Sequence, residues 1–84
     1  MNNSKYAVVI TFSFDPQVSV LLFDTDREAM NFIKNNVVDK WKIDTQENGW
    51  DSEYQIYETE GRAVLTTNRN SDSYITELKI GTVF

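Results

Sequence analysis

One segment of this chain repeats its apolar residues at helical spacing, and on either side of it the segments that have a period repeat in twos. From Thr25 to Trp41, Ala29, Met30, Ile33, Val37 and Trp41 share one helical face. Arg27, Asn31, Lys34 and Asn35 lie mainly on the other, and Phe32 and Val38 flank the stripe. The run "TDRE" at 25–28 has capping-box spacing, with Thr25 as the cap and Glu28 reaching back; Asp24 is the competing cap. A helix of this length spans roughly 25 Å. That is enough to lie across several strands spaced about 4.8 Å apart. A single amphipathic helix needs a sheet to cover, and the rest of the chain supplies one.

Residues 5–14, "KYAVVITFSF", set Tyr6, Val8, Ile10, Phe12 and Phe14 against Ala7, Val9, Thr11 and Ser13. "DP" at 15–16 predicts a turn. "QVSVLLF" at 17–23 predicts a second strand, hairpin-paired to the first, with Val18, Val20 and Leu22 on one face. Residues 42–52 have turn chemistry and no period, with "NG" as the breaker. Strands then follow at 53–59 and 62–67 around an "EG" turn, and "NRNSD" at 68–72 turns the chain into a last long strand, "SYITELKIGTV". Its Leu78 and Ile80 oppose Ile75, Glu77 and Lys79.

The order β-β-α-β-β-β predicts an α+β fold: a five-stranded, mainly antiparallel sheet with one helix packed on one face. The 84 residues, 40% hydrophobic and 25% charged, fit one small domain over residues 1–84. The strand directions fit the order 2-1-5-4-3 and equally 2-1-3-4-5; long first and last strands at the centre favour the former.

Composition narrows the chemistry. The chain has no His and no Cys, which removes the commonest general base at neutral pH, the Ser-His and Cys-His pairs and the usual zinc ligands other than carboxylates. It has no P-loop, no Gly-rich dinucleotide fingerprint and no GxSxG. Carboxylates alone could pair as acid and base, at Glu58 and Glu60 or at Asp51 and Glu53, but turns keep such groups solvated. The acids Asp44, Glu47, Asp51 and Glu53 lack EF-hand spacing. The expectation is a non-enzymatic protein with no cofactor, no metal and no catalytic residue.

A formal charge of −5 disfavours direct binding to nucleic acid or an anionic membrane and favours a basic protein partner; it also serves plain solubility. One helix in place of two, with no basic surroundings, sets aside an RNA-binding sheet. The opening "MNNSKYAVVITF" alternates like a strand and lacks the form of a secretory signal, and no apolar run approaches the roughly 20 residues of a membrane span. The expected setting is cytoplasmic.

Two surfaces invite a partner. A sheet covered on one face leaves the other open. If Val8, Ile10 and Phe12 face the helix, the open face carries Val9 and Thr11 from the first strand and Ser19, Leu21 and Phe23 from the second. Tyr57, Val64, Thr66, Ile75, Glu77 and Lys79 complete it. That face is more apolar than solvated sheets usually are. The other surface is the loop around Trp50. Its ring either caps the core beside Trp41 or joins Tyr54 as an aromatic anchor rimmed by Glu47, Asp51 and Glu53. The leading expectation is a protein–protein interaction module, in its specific form an acidic inhibitor of a basic, nucleic-acid-handling protein. The alternative is a homodimeric structural or accessory protein packed through its open sheet face.

Overall fold

A computed structural model describes residues 6–82. Its elements run β1 (Tyr6–Phe12), β2 (Asp15–Phe23), α1 (Asp26–Lys42), β3 (Asp51–Tyr57), β4 (Arg62–Arg69) and β5 (Asp72–Thr82). The expected extensions to Lys5 and Val83 lie outside the described residues. The strands form one antiparallel sheet in the order β2-β1-β5-β4-β3, with α1 on one face. This is the α+β architecture and the first of the two strand orders that the pattern allows.

Thr25 caps α1: its Oγ1 accepts from Glu28 N–H at 3.1 Å. Glu28 reaches back to the Thr25 hydroxyl (3.2 Å), not to its backbone N–H. Ala29, Met30, Ile33 and Val37 are the buried helix residues, as the stripe predicts. They meet Val8 and Ile10 of β1, Leu78 of β5, and Ala63 and Leu65 of β4. At its C-terminal end the helix does not give way to an open loop. It widens into one π-helical turn at Ile43–Glu47, where Asn48 N–H donates to Ile43 O at 3.0 Å. Gly49, with φ +70°, then turns the chain toward β3.

Three turns differ from expectation. The β1–β2 turn falls at Ser13–Phe14, one step before the "DP" pair, and Pro16 lies inside β2. Pro is tolerated there because β2 is an edge strand, and a register shift between Thr11 and Phe12 absorbs the irregularity. The β3–β4 connection is longer than two residues. A 3-10 turn at Glu58–Glu60 ends in Gly61 at φ +64°, which only glycine adopts without cost. The β4–β5 turn is tighter than the five-residue "NRNSD": Asn70 and Ser71 alone make it, both at positive φ, as a type I′ hairpin turn demands.

Candidate docking surfaces

Antiparallel partners point their side chains to the same face, so the ladder registers sort every strand residue. Val8 opposes Leu21 and Ile10 opposes Ser19, which places Ser19, Leu21 and Phe23 on the helix side. Phe23 packs on Phe32 of α1 with ring centroids 5.4 Å apart. The expected open-face positions of Ser19, Leu21 and Phe23 are therefore corrected. Val18, Val20 and Leu22 take the open face instead, opposite Thr11, Val9 and Ala7. The physical reason is that both alternating sets of β2 carry apolar residues, so periodicity alone cannot choose between them; the register does, setting even-numbered residues of β1 opposite odd-numbered residues of β2 throughout. Val9, Tyr57, Val64, Thr66, Ile75, Glu77 and Lys79 lie on the open face as expected.

The open face has two halves. Over β3, β4 and β5 it is mixed: Ile75 is 42% exposed, Asp51, Glu53 and Lys79 are exposed beside it, and one cluster is self-paired. Arg62 bonds Glu60 (3.0 Å) and Glu77 (3.4 Å) and stacks 4.2 Å above the Tyr57 ring; the Tyr57 hydroxyl in turn donates to Gln55. The hydrogen bond to Glu60 is the main cause holding the Arg62 pKa above its ordinary value. Over β2 and β1 the face is apolar. Val18 is 56% exposed, Val20 58% and Leu22 58%; on the helix side of the same strand Leu21 is still 36% exposed, because it sits at the sheet's margin. No charged side chain occurs from Pro16 to Phe23.

The edges of the sheet differ as much as its halves. In an antiparallel ladder, a residue that turns its N–H and C=O to one neighbouring strand does not turn them to the other. Ile80 N–H donates to Gly61 O (2.8 Å), on the β4 side, and Ser13 N–H donates to Ile75 O (2.9 Å), on the β1 side. Even-numbered residues of β5 thus address β4, and odd-numbered ones address β1. Carried across the registers, Tyr6, Val8 and Ile10 address Phe23, Leu21 and Ser19 of β2. Val18, Val20 and Leu22 are left with N–H and C=O directed outward, and no described strand pairs with them. At the opposite edge the same alternation turns Ser52, Tyr54 and Ile56 of β3 outward. There Trp41 Nε1–H already donates to Ser52 O (2.8 Å), and Asp51 and Glu53 stand exposed on the open-face side. Pairing at β3 is blunted by a side-chain cap and by charge; at β2 Pro16 and the register irregularity blunt only the N-terminal end, and the stretch from Val18 to Leu22 carries neither charge nor Pro.

The loop around Trp50 also departs from expectation. Tyr54 is not an outward anchor beside it. It lies on the helix side, half-buried, edge-on to Trp41 at 5.7 Å. The Trp50 ring does not cap the core beside Trp41; the Arg69 guanidinium covers it at 3.9 Å. Arg69 is also 5.7 Å from the Tyr74 ring, and Tyr74 meets Phe14 edge-on at 5.4 Å. Below this corner, Asp44 Oδ2 accepts from the Thr67 hydroxyl (2.6 Å) and the Ser52 hydroxyl (3.3 Å), so one of the four acids of the loop faces inward. Glu47, Asp51 and Glu53 are exposed, and none has an ion pair among the described residues.

The carboxylate pair at Glu58 and Glu60 is divided between two cations. Glu58 meets Lys34 at 2.8 Å and Glu60 meets Arg62 at 3.0 Å, all four groups at the surface. Among the described residues no cluster of three or more His, Cys, Asp or Glu is placed to hold a metal ion, and no helix is long and apolar enough to cross a membrane. Comparison with protein-family models, with curated proteins and with solved structures finds no match to this chain.

Proposed function

We propose that this protein is a non-catalytic protein–protein interaction module whose docking surface is strand β2 with the apolar half of the open sheet face. The observation that carries this reading is the exposed row Val18, Val20 and Leu22, whose outward backbone groups and apolar side chains lie along one uncharged edge. A partner strand added there gains main-chain hydrogen bonds, and the valines and leucine beneath it supply apolar burial. Natural sheets usually protect such an edge with charge, and this chain does so at β3 but not at β2.

The test is affinity capture from a lysate of the source organism with two baits, the wild-type chain and Val20→Lys. The module reading expects a defined partner with the first bait and its loss with the second. Equal capture by both baits would overturn the assignment to β2.

A second reading is favoured by the β3 side. Glu47, Asp51 and Glu53 form an exposed acidic margin on a chain of charge −5. In that reading a basic, nucleic-acid-handling protein docks at this margin and is thereby inhibited. Capture would then fade as salt screens the attraction over a Debye length of about 8–10 Å, and Val20→Lys would leave it intact.

A further inference from the structure

We infer that the occupant of β2 is a second copy of this chain, paired antiparallel about a two-fold axis through Val20; this rests on the reading of β2 as the docking surface. The residues whose backbone points outward are Val18, Val20 and Leu22, by the alternation set at β1. They are symmetric about Val20. Turning the strand on itself there pairs Val20 with the second copy's Val20, and Val18 with the second copy's Leu22 on either side, each in a hydrogen-bonded position. A two-fold contact of this kind must be self-complementary, and an apolar residue at all three positions satisfies that requirement in one register.

The side chains agree with the backbone. Two-fold pairing across the edge keeps both open faces on the same side of a ten-stranded sheet. The exposed Val18, Val20 and Leu22 of each copy then form one unbroken apolar strip. On the other side Leu21, 36% exposed, would lie opposite Ser19 of the second copy. Local charge does not oppose a second copy at this contact. Two chains of net charge −5 repel one another over most of their surfaces. The stretch from Pro16 to Phe23 carries no charge, so the copies meet where that repulsion has no close pair to act through. Self-pairing at β3 would instead bring the exposed acids Asp51 and Glu53 into the contact and displace the Trp41 bond to Ser52. A strand pair with three apolar side chains per copy buries less than the roughly 1,200 Å² of a standard stable interface, so the dimer is concentration-dependent.

The chain has no cysteine, which makes single-cysteine variants a register-specific test. In a hydrogen-bonded antiparallel pair the Cα atoms lie about 5.5 Å apart, within disulfide reach. Val20→Cys is therefore expected to cross-link to its copy under mild oxidation. Val18→Cys is not, since two strand rises on each side separate it from its copy by about 14 Å. Light scattering of the wild-type protein should show a mass rising from 9.8 kDa toward twice that value as concentration approaches about 1 mM. Val20→Lys, at an exposed position that spares the fold, should weaken the association by about tenfold or more, while Glu53→Lys should not weaken it.

A wild-type mass of one chain throughout would overturn self-pairing. The module reading would still stand if Val20→Lys abolished capture of a different protein, and would fall with it if both baits behaved alike. A dimer that survives Val20→Lys, or that cross-links equally well through Val18→Cys, would place the contact elsewhere and also overturn the inference.

Discussion

Replacing Ile33 probes the load on the helix face. Ile33 is fully buried, and with Leu78, Val8 and Val37 it is among the largest side chains with no exposure. Ile33→Ala deletes buried apolar atoms from the middle of α1, where the strands below cannot move up to fill the space. Such truncations cost about 2–5 kcal/mol. A domain of 84 residues has a total stability of about 4–12 kcal/mol, so this variant should stay folded only marginally. Its urea midpoint should fall by about 1–3 M for a slope of the size small domains show. Ile33→Asp adds to the cavity an unpaired carboxylate, a further penalty of several kcal/mol, and should be unfolded at neutral pH. The pH sign is specific. Burial raises the carboxyl's pKa in the folded state above its unfolded value, so the folded form binds a proton that the unfolded form releases. Stability should then be regained as pH falls through that range, opposite to ordinary acid denaturation. The assay is circular dichroism against urea at two pH values. A normal cooperative transition for Ile33→Asp at neutral pH would refute the placement of Ile33 against the sheet.

Three further substitutions follow from particular contacts. Thr25→Ala removes the acceptor for Glu28 N–H and should cost about 1 kcal/mol, read as a fall of about 4–8 °C in Tm. Trp41→Phe breaks the bond to Ser52 O and should cost about 1–3 kcal/mol for the carbonyl left without its donor. Trp50→Phe, outside the core cluster and covered by the Arg69 guanidinium, should cost less than 1 kcal/mol; thermal melts that reverse this ranking would contradict the two placements. Arg69→Ala should shift tryptophan fluorescence to the red by uncovering the Trp50 face, with Trp50→Phe as the background control.

The parts of the fold legible in the sequence are those where one physical signal acts alone. The helix is legible because a cap at Thr25 and a 3.6-residue stripe through Ala29, Ile33 and Val37 agree. The central placement of β5, the longest strand at 11 residues, follows from its length; β1, at 7 residues, is shorter than the edge strand β2 at 9, so length does not account for its place. The faces of β2 are not legible, because Val18, Val20 and Leu22 compete with Leu21 and Phe23 and only the register to β1 decides between them. Pro16 is misleading for a related reason: the same residue that starts a turn is also tolerated on an edge strand, and its position there depends on the register shift beside it. At the candidate site, Val9, Tyr57, Val64 and Ile75 follow from strand parity. The Arg69 cover on Trp50 and the Tyr54 contact with Trp41 join residues far apart in sequence, and no local pattern announces them. One signal was available for β2: the absence of any charge from Pro16 to Phe23 in a chain that is 25% charged.

The central claim, that β2 is an unpaired edge built for docking, is tested most directly by hydrogen exchange resolved to single amides along that strand. In dilute protein Ser19, Leu21 and Phe23, which address β1, should exchange slowly, while Val18, Val20 and Leu22 exchange at nearly unprotected rates. When the docking partner is present, including the protein itself at high concentration, the second set should gain protection and the first should change little. Val20 and its neighbours already protected in dilute protein, or unprotected whatever is added, would contradict the account.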